Sequence, residues 1–209
     1  MHKIHRYRWP NHPMGTCFIR QSDQLVYVNI PKNATEYTKL LFDGTLTNFY
    51  ENAIPEDYRY LIVLRNPIER WYSGLCEYVQ RYTTINPDSD VFDQFDALKI
   101  LTTACANDEH TELQLRFIAG LPSKNAVFFN FNDNFTTNLT DWFDQNNVAY
   151  PQSLSGKKRN VTEQQWITLR NRIKKHVESN TELLESLNEY LKLDIKLYNS
   201  VQYYIKGEK

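Results

Sequence analysis

Two apolar segments, each followed by a cationic residue and a helical pattern, constrain the fold of this chain most strongly. Residues 25–30 have the sequence LVYVNI and residues 60–64 have the sequence YLIVL, which is the length and composition of buried strands. Lys32 follows the first segment after Pro31, and Arg65 follows the second directly. Strands that alternate with helices predict an α/β fold with a mainly parallel central sheet flanked by helices.

Further strands are predicted on either side of this pair. Residues 16–20 and 25–30 flank the polar turn QSDQ and so predict a hairpin. Residues 126–131, with the sequence AVFFNF, predict another buried strand. The aromatic side chains of this segment and of the helix after it are expected mainly in the core, and so are Trp71 and Tyr72.

Local capping signals place the helix that follows the second apolar segment. Asn66 is a suitable N-cap, Pro67 suits the first helical position, and Glu69 stands where a capping box has an acid. These residues predict a helix over 67–82. Other helices are predicted near residue 36 and at 91–105, 111–119 with Gly120 as its C-cap, 136–145 and 162–192.

Size and charge exclude several classes of protein. The 209 residues (24.9 kDa) fit one domain over 1–209, with a polar N-terminal arm over 1–15. The net charge of −1 argues against a nucleic-acid partner. No apolar run approaches the roughly 20 residues of a membrane span, so no membrane partner is expected.

The cysteines and histidines suggest neither disulfides nor a metal site. Cys17, Cys76 and Cys105 are odd in number and widely spaced, so we expect reduced thiols, no metal and a cytoplasmic location. The N-terminal segment lacks the apolar region of a signal peptide.

The ends of the two apolar segments carry the chemistry. In parallel sheets ligands bind beyond the carboxyl ends of strands, where helix N-termini and cations attract phosphate or sulfate. Lys32 would supply a point charge at the first turn, while Arg65 and Ser73 would supply a guanidinium and a hydroxyl at the second. Arg70 would assist them, or pair with Glu69 or Glu77 at the surface. An exposed loop with a solvated lysine and an ordinary capped helix are the alternatives.

Four segments together resemble a known family. They are IPKNAT at 30–35, LRNPIERWYSGL at 64–75, LQLRFIAG at 113–120 and LDIKLY at 193–198. In this order they are similar to segments of the sulfotransferases that use 3′-phosphoadenosine 5′-phosphosulfate (PAPS), particularly the carbohydrate branch. The second segment matches its pattern R-[DN]-P-x-x-R-x-x-S position by position.

The resemblance implies a P-loop-like three-layer sandwich and transfer of a sulfuryl group from PAPS, without a metal, to an acceptor hydroxyl, with a saccharide favoured. Lys32 would stabilise charge on the leaving phosphate, and Arg65 and Ser73 would hold the 3′-phosphate. The cofactor-binding residues implied by resemblance are Pro31, Lys32, Asn33, Ala34, Thr35, Arg65, Ser73 and, in a late basic loop, Lys157, Lys158 and Arg159.

A general base is also expected, and three residues are candidates. Glu51 is favoured because its separation from Lys32 is similar to that in several family members; Asp43 is second and His110 third. For each of them, and for the loop at 157–159, a solvated surface position is the alternative.

The first loop departs from the family pattern. Thr35, Glu36 and Tyr37 stand where the family has glycine and then threonine or serine. A non-catalytic domain that keeps the fold and binds a nucleotide is therefore the alternative function. Another P-loop-like phosphotransferase is disfavoured, because the chain has no GxxxxGK[ST] motif and no acid clearly placed for Mg²⁺.

Overall fold

The computed structural model describes residues 15–38, 45–49, 57–82, 108–149 and 164–205. The strands in these ranges are β1 (Thr16–Arg20), β2 (Leu25–Asn29), β3 (Thr45–Asn48), β4 (Arg59–Leu64) and β5 (Ala126–Asn130). The helices are α1 (Thr35–Thr38), α2 (Pro67–Tyr82), α3 (Gln114–Ile118), α4 (Phe135–Gln145), α5 (Gln164–Glu178) and α6 (Thr181–Ile205). The chain is thus α/β, as predicted.

The five strands form one mixed sheet in the order β3-β1-β2-β4-β5. Strand β2 pairs in parallel with β4, and β4 with β5, whereas β1 runs antiparallel to both β2 and β3. The predicted hairpin of β1 and β2 is confirmed, but the sheet is not mainly parallel. The turn Gln21–Asp23 between β1 and β2 is far too short for the crossover that a parallel pair requires.

Helices pack on both faces of the sheet. Tyr27, Leu61 and Val63 share one face with residues of α4 such as Phe143. The alternate residues of β2 and β4 share the other face with Phe117 of α3 and with α6. Because successive side chains of a strand point to opposite faces, a strand buried on both sides is apolar throughout, as β4 is.

Helix α2 begins as its capping residues predict. The side-chain oxygen of Asn66 accepts hydrogen bonds of 3.1 Å from the main-chain nitrogens of Ile68 and Glu69. The capping-box role of Glu69 is not seen, because its carboxylate binds Arg170 and Lys174 of α5 instead. Hydrogen bonds with two cations are stronger than one with a neutral peptide group.

The helix predicted at 162–192 is two helices. The side-chain oxygen of Asn180 accepts from the main-chain nitrogen of Leu183 at 3.2 Å, which caps the second helix. Helix α3 is shorter than predicted, and its C-cap is Ala119, with ψ of 130°, and not Gly120. Gly120, with φ of +80°, lies in the turn that follows, which a hydrogen bond from Leu121 N to Ile118 O closes at 3.2 Å. The helix predicted at 91–105 lies outside the described residues.

Trp71 and Tyr72 are confirmed as core residues. Both are buried, together with Leu75 and Val79, against α5 and α6. Within the described ranges, no helix combines the length and the apolar character that a membrane crossing requires.

Candidate functional site

The two cationic turns lie side by side. Strands β2 and β4 are parallel neighbours, so their carboxyl ends meet at the same edge of the sheet. Arg65 Nη1 donates to the main-chain carbonyl of Lys32 at 3.2 Å, and Arg70 Nε donates to the carbonyl of Pro31 at 2.9 Å. The structure therefore joins the turn after β2 to the end of β4.

The turn after β2 has the backbone shape of a glycine-containing loop without a glycine. Lys32 and Ala34 have φ values of +69° and +60°, a left-handed conformation that costs most residues roughly 1–2 kcal/mol. The Asn33 nitrogen donates to the Ile30 carbonyl at 3.1 Å and closes the turn. Left-handed residues in tight turns form concavities of main-chain N–H groups that attract anions.

The ammonium group of Lys32 is held by a carboxylate of α2. Lys32 Nζ lies 2.5 Å from Glu77 Oε2, and Arg81 Nη2 lies 2.5 Å from Glu77 Oε1. Burial alone would raise the pKa of Glu77, but the hydrogen bond and charge of Lys32, with those of Arg81, hold this pKa below its ordinary value. Lys32 is thus paired with an internal anion.

Two hydroxyl groups assigned to ligand binding donate to main-chain carbonyls. Thr35 Oγ1 donates to Ile30 O at 3.0 Å, and Ser73 Oγ donates to Glu69 O at 3.1 Å. Each hydroxyl has one proton. A bound oxyanion would receive these protons only after the hydroxyl groups rotate.

Arg65 lies beside an exposed aromatic ring. Its guanidinium carbon is 6.0 Å from the ring centroid of Phe131, which is 40% exposed and is an exception to the predicted burial of the aromatic residues. Burial, followed by the positive charge of Arg170, lowers the pKa of Arg65. Among the described residues no carboxylate forms an ion pair with Arg65, so its charge is available to an anion.

Arg70 is a buried structural residue and not a surface ion pair with Glu69 or Glu77. It is 1% exposed, and besides Pro31 its guanidinium donates to the carbonyls of Glu112 (2.5 Å) and Glu109 (3.1 Å). Burial lowers its pKa to about 10. Five donors in a fixed fork suit this role, so Arg70 ties the Lys32 turn to residues 108–112.

Asn33 and Gln114 connect the turns through a buried amide pair. Asn33 Nδ2 donates to Gln114 Oε1 at 2.6 Å and to the Val63 carbonyl at 2.8 Å. Gln114 Oε1 also accepts from Arg65 N, and Gln114 Nε2 donates to Arg65 O, both at 3.0 Å. Gln114 thereby fixes the main chain of Arg65 relative to the Lys32 turn.

Asp194 of α6 completes this network. Its carboxylate accepts from Gln114 N at 2.6 Å and from Leu115 N at 3.0 Å, at the first turn of α3. All four segments that carry the family resemblance are thus joined by hydrogen bonds. No role for Gln114 or Asp194 was predicted from the sequence. Their positions within segments 113–120 and 193–198 were the only indication that they contribute to the site.

His110 is oriented by an acidic neighbour. Its Nδ1 lies 2.7 Å from Asp108 Oδ1, which also accepts from His110 N at 3.0 Å. Burial would raise the pKa of Asp108, but the hydrogen bonds and charge of His110 hold this pKa below its ordinary value. An oriented imidazole of this kind is suited to proton transfer through its other nitrogen.

Several predicted residues lie outside the described part of the chain. These are the candidate bases Asp43 and Glu51, the basic loop residues Lys157, Lys158 and Arg159, and Cys105. Sequence reasoning missed Arg170 and Lys174, whose contacts with Glu69 span about a hundred residues and leave no local signal.

The described cysteines do not provide reactive thiols. Cys17 and Cys76 are buried, and burial raises the pKa of each thiol to about 12. Among the described residues, no three or more His, Cys, Asp or Glu side chains are grouped to hold a metal ion.

Comparisons with protein-family models, with curated proteins and with solved structures find no match for this chain.

Proposed function

We propose that this protein is a PAPS-dependent sulfotransferase built on a P-loop-like three-layer sandwich. The observation that carries the proposal is the contact of Arg65 with the carbonyl of Lys32. It brings together the two turns that, by resemblance, bind opposite ends of one nucleotide.

When bound, PAPS supplies the activated sulfuryl group. Lys32 would stabilise the negative charge that develops on the leaving phosphate oxygen, an interaction that strengthens in the transition state. For this, its ammonium group must exchange Glu77 for the ligand. Arg65 and Ser73 would hold the 3′-phosphate and so fix the orientation of the sulfuryl group toward the acceptor.

A base would accept the proton of the acceptor hydroxyl, for which the resemblance favours a saccharide. Glu51 is our first candidate, followed by Asp43 and then His110. The pairing of His110 with Asp108 supports the third of them. A cytoplasmic location remains a prediction from the cysteine content.

A non-catalytic nucleotide-binding domain is the second candidate. It is favoured by the internal pairing of the groups that would act: Lys32 with Glu77, and the hydroxyls of Thr35 and Ser73 with main-chain carbonyls. In such a module these groups would keep their internal partners. In an enzyme they would leave these partners and contact the nucleotide when it binds.

The deciding experiment is isothermal titration calorimetry with adenosine 3′,5′-bisphosphate, the desulfated product. We expect saturable binding, with adenosine 5′-monophosphate at least tenfold weaker because it lacks the 3′-phosphate. Sulfuryl transfer from labelled PAPS to a panel of saccharides then separates the enzyme from the binding module. Absence of heat and of a thermal shift at millimolar bisphosphate would overturn both.

A further inference from the structure

Two cations of α5 bind the carboxylate of Glu69, which lies in the first turn of α2. Arg170 Nη2 binds Glu69 Oε2, and Lys174 Nζ lies 2.8 Å from Glu69 Oε1. Arg65, at the end of β4, interacts electrostatically with both Glu69 and Arg170. Lys174 has a second acid in Glu178, at 3.9 Å. Within the described residues, Glu69 forms ion pairs with Arg170 and Lys174, and its charge also acts on Arg65.

Arg170 also has an unused donor. Its Nε atom is buried and has no hydrogen-bond partner among the residues that the structure describes. Leaving a buried donor without an acceptor costs about 1–3 kcal/mol, and burial, followed by the positive charge of Arg170, lowers the pKa of Arg65. This part of the structure is therefore short of both negative charge and acceptor atoms.

We propose that Arg65 and Arg170 form a two-arginine clamp for a phosphate or sulfate dianion, and that Glu69 is the internal anion that this ligand displaces. A tetrahedral dianion carries more charge than one carboxylate and has more acceptor oxygens, so it satisfies both guanidinium groups at once. The displaced Glu69 side chain retains Lys174 as its partner.

The identity of the natural ligand rests on the proposed function, but the clamp does not. Ser73 lies one turn after Glu69 and its hydroxyl already contacts the Glu69 carbonyl. If the protein binds PAPS, the clamp receives the 3′-phosphate, which the resemblance assigns to Arg65 and Ser73. Arg170 is then a phosphate-binding residue contributed by α5, outside every segment that carries the resemblance.

The clamp is tested by titrating the full chain and its variants with inorganic phosphate and, separately, with adenosine 3′,5′-bisphosphate. We expect Arg170→Gln to weaken both by about 10- to 100-fold, the loss of one charge-assisted bidentate contact. Arg170→Lys should lose part of this affinity, because it keeps the charge without the fork. Lys175→Gln, which removes one positive charge from an exposed position of the same helix, is the matched control and should stay within about twofold of the parent protein.

Glu69→Gln tests the displacement. Because it removes the competing anion, it should bind both probes several-fold more tightly than the parent protein. A gain of affinity cannot result from a damaged fold, so this variant decides the question even if Arg170→Gln proves unstable. Circular dichroism and thermal unfolding of each variant establish that it is folded.

The outcomes separate the clamp from the proposed function. Equal binding of both probes by the parent protein and Arg170→Gln, no binding of phosphate by the parent protein, or weaker binding by Glu69→Gln would overturn the clamp. Phosphate binding that depends on Arg170, with the bisphosphate bound no more tightly than phosphate, would support the clamp and overturn the proposed nucleotide. Bisphosphate binding that is unaffected by Arg170→Gln would overturn the clamp and support the proposed nucleotide.

Discussion

The guanidinium of Arg65 and the main-chain carbonyl of Lys32 are joined by a hydrogen bond of 3.2 Å. The contact connects two residues, 33 positions apart, that follow the neighbouring strands β2 and β4. Because Lys32 has a left-handed backbone conformation, the turn sets the direction of its carbonyl group. The hydrogen bond from Arg65 therefore depends on the conformation of this turn. Loss of either feature is expected to disturb the other.

Lys32→Ala should lower turnover by orders of magnitude while nucleotide binding largely persists. Removing a cation that acts on the leaving group typically costs about 10²- to 10³-fold in kcat, so we expect that loss with the affinity for adenosine 3′,5′-bisphosphate within a few-fold. Rates of sulfuryl transfer and calorimetry measure the two quantities. Lys124→Ala, at an exposed position, is the control. A change in affinity alone would favour the non-catalytic module.

Glu51→Gln should lower kcat without weakening nucleotide binding. Loss of a general base typically costs about 10²- to 10⁴-fold, and the variant should also lose the acid limb of the pH–rate profile. His110→Gln is the comparison, because it removes the imidazole that Asp108 orients. If His110→Gln shows the larger loss and Glu51→Gln retains the rate, the base is His110.

Gln114→Leu should weaken both the fold and the ligand site. It removes one of the two acceptors of the Asn33 side chain and the side-chain partners of the Arg65 main-chain nitrogen and carbonyl, at a cost of about 1–3 kcal/mol for each group left unsatisfied. Urea unfolding measures this loss, and calorimetry with the bisphosphate measures affinity. Gln145→Leu, at the exposed end of α4, should change neither. Unaltered stability of Gln114→Leu would contradict the role of the network.

Gly74→Ala should destabilise the protein although it lies within a helix. Alanine is favoured over glycine in helices by about 1 kcal/mol, but a Cβ at Gly74 would lie 2.1 Å from the carbonyl oxygen of His110. The main chain of residues 108–112 must then move away from α2. We expect a lower unfolding midpoint in urea, and a stabilised variant would show that this close approach does not exist.

Acid should destabilise the protein partly through Glu69 and Glu77. The paired cations hold the pKa of each carboxyl below its ordinary value of 4.5, so each contributes stability that is present above this value and is lost as the pH falls through the lower folded-state pKa. Glu77→Gln should therefore flatten the decline of unfolding free energy below about pH 4.5. Glu185→Gln, at an exposed position, is the control and should leave the decline unchanged.

Local signals were sufficient for the elements whose ends depend on adjacent residues. Asn66 and Pro67 predicted the start of α2 because a cap acts within three residues. The hairpin of β1 and β2 was predicted for the same reason, yet its consequence, a mixed sheet, was overlooked. Asn180 offered a comparable signal for the break between α5 and α6, which an uninterrupted helical pattern concealed.

The partners of the site residues could not be predicted, because they depend on contacts across the whole chain. The sequence indicated Lys32, Arg65 and Ser73 but not that Glu77 pairs with Lys32 or that Arg170 reaches Glu69. Arg70 was expected either to assist Arg65 and Ser73 or to pair at the surface, since the carbonyl groups that it binds cannot be identified from the sequence. Pairing between side chains that are far apart in the sequence depends on how the helices and strands pack. Composition and periodicity do not predict this packing.

The network from Asn33 through Gln114 to Asp194 also has a consequence during synthesis. Its members are contributed by regions of the chain separated by up to 161 positions, so a ribosome elongating at about 5–20 residues per second adds the last member about 10 to 30 seconds after the first. Until Asp194 emerges, the main-chain nitrogens of Gln114 and Leu115 at the start of α3 lack this acceptor. The network can therefore be complete only after α6 has been synthesised as far as Asp194.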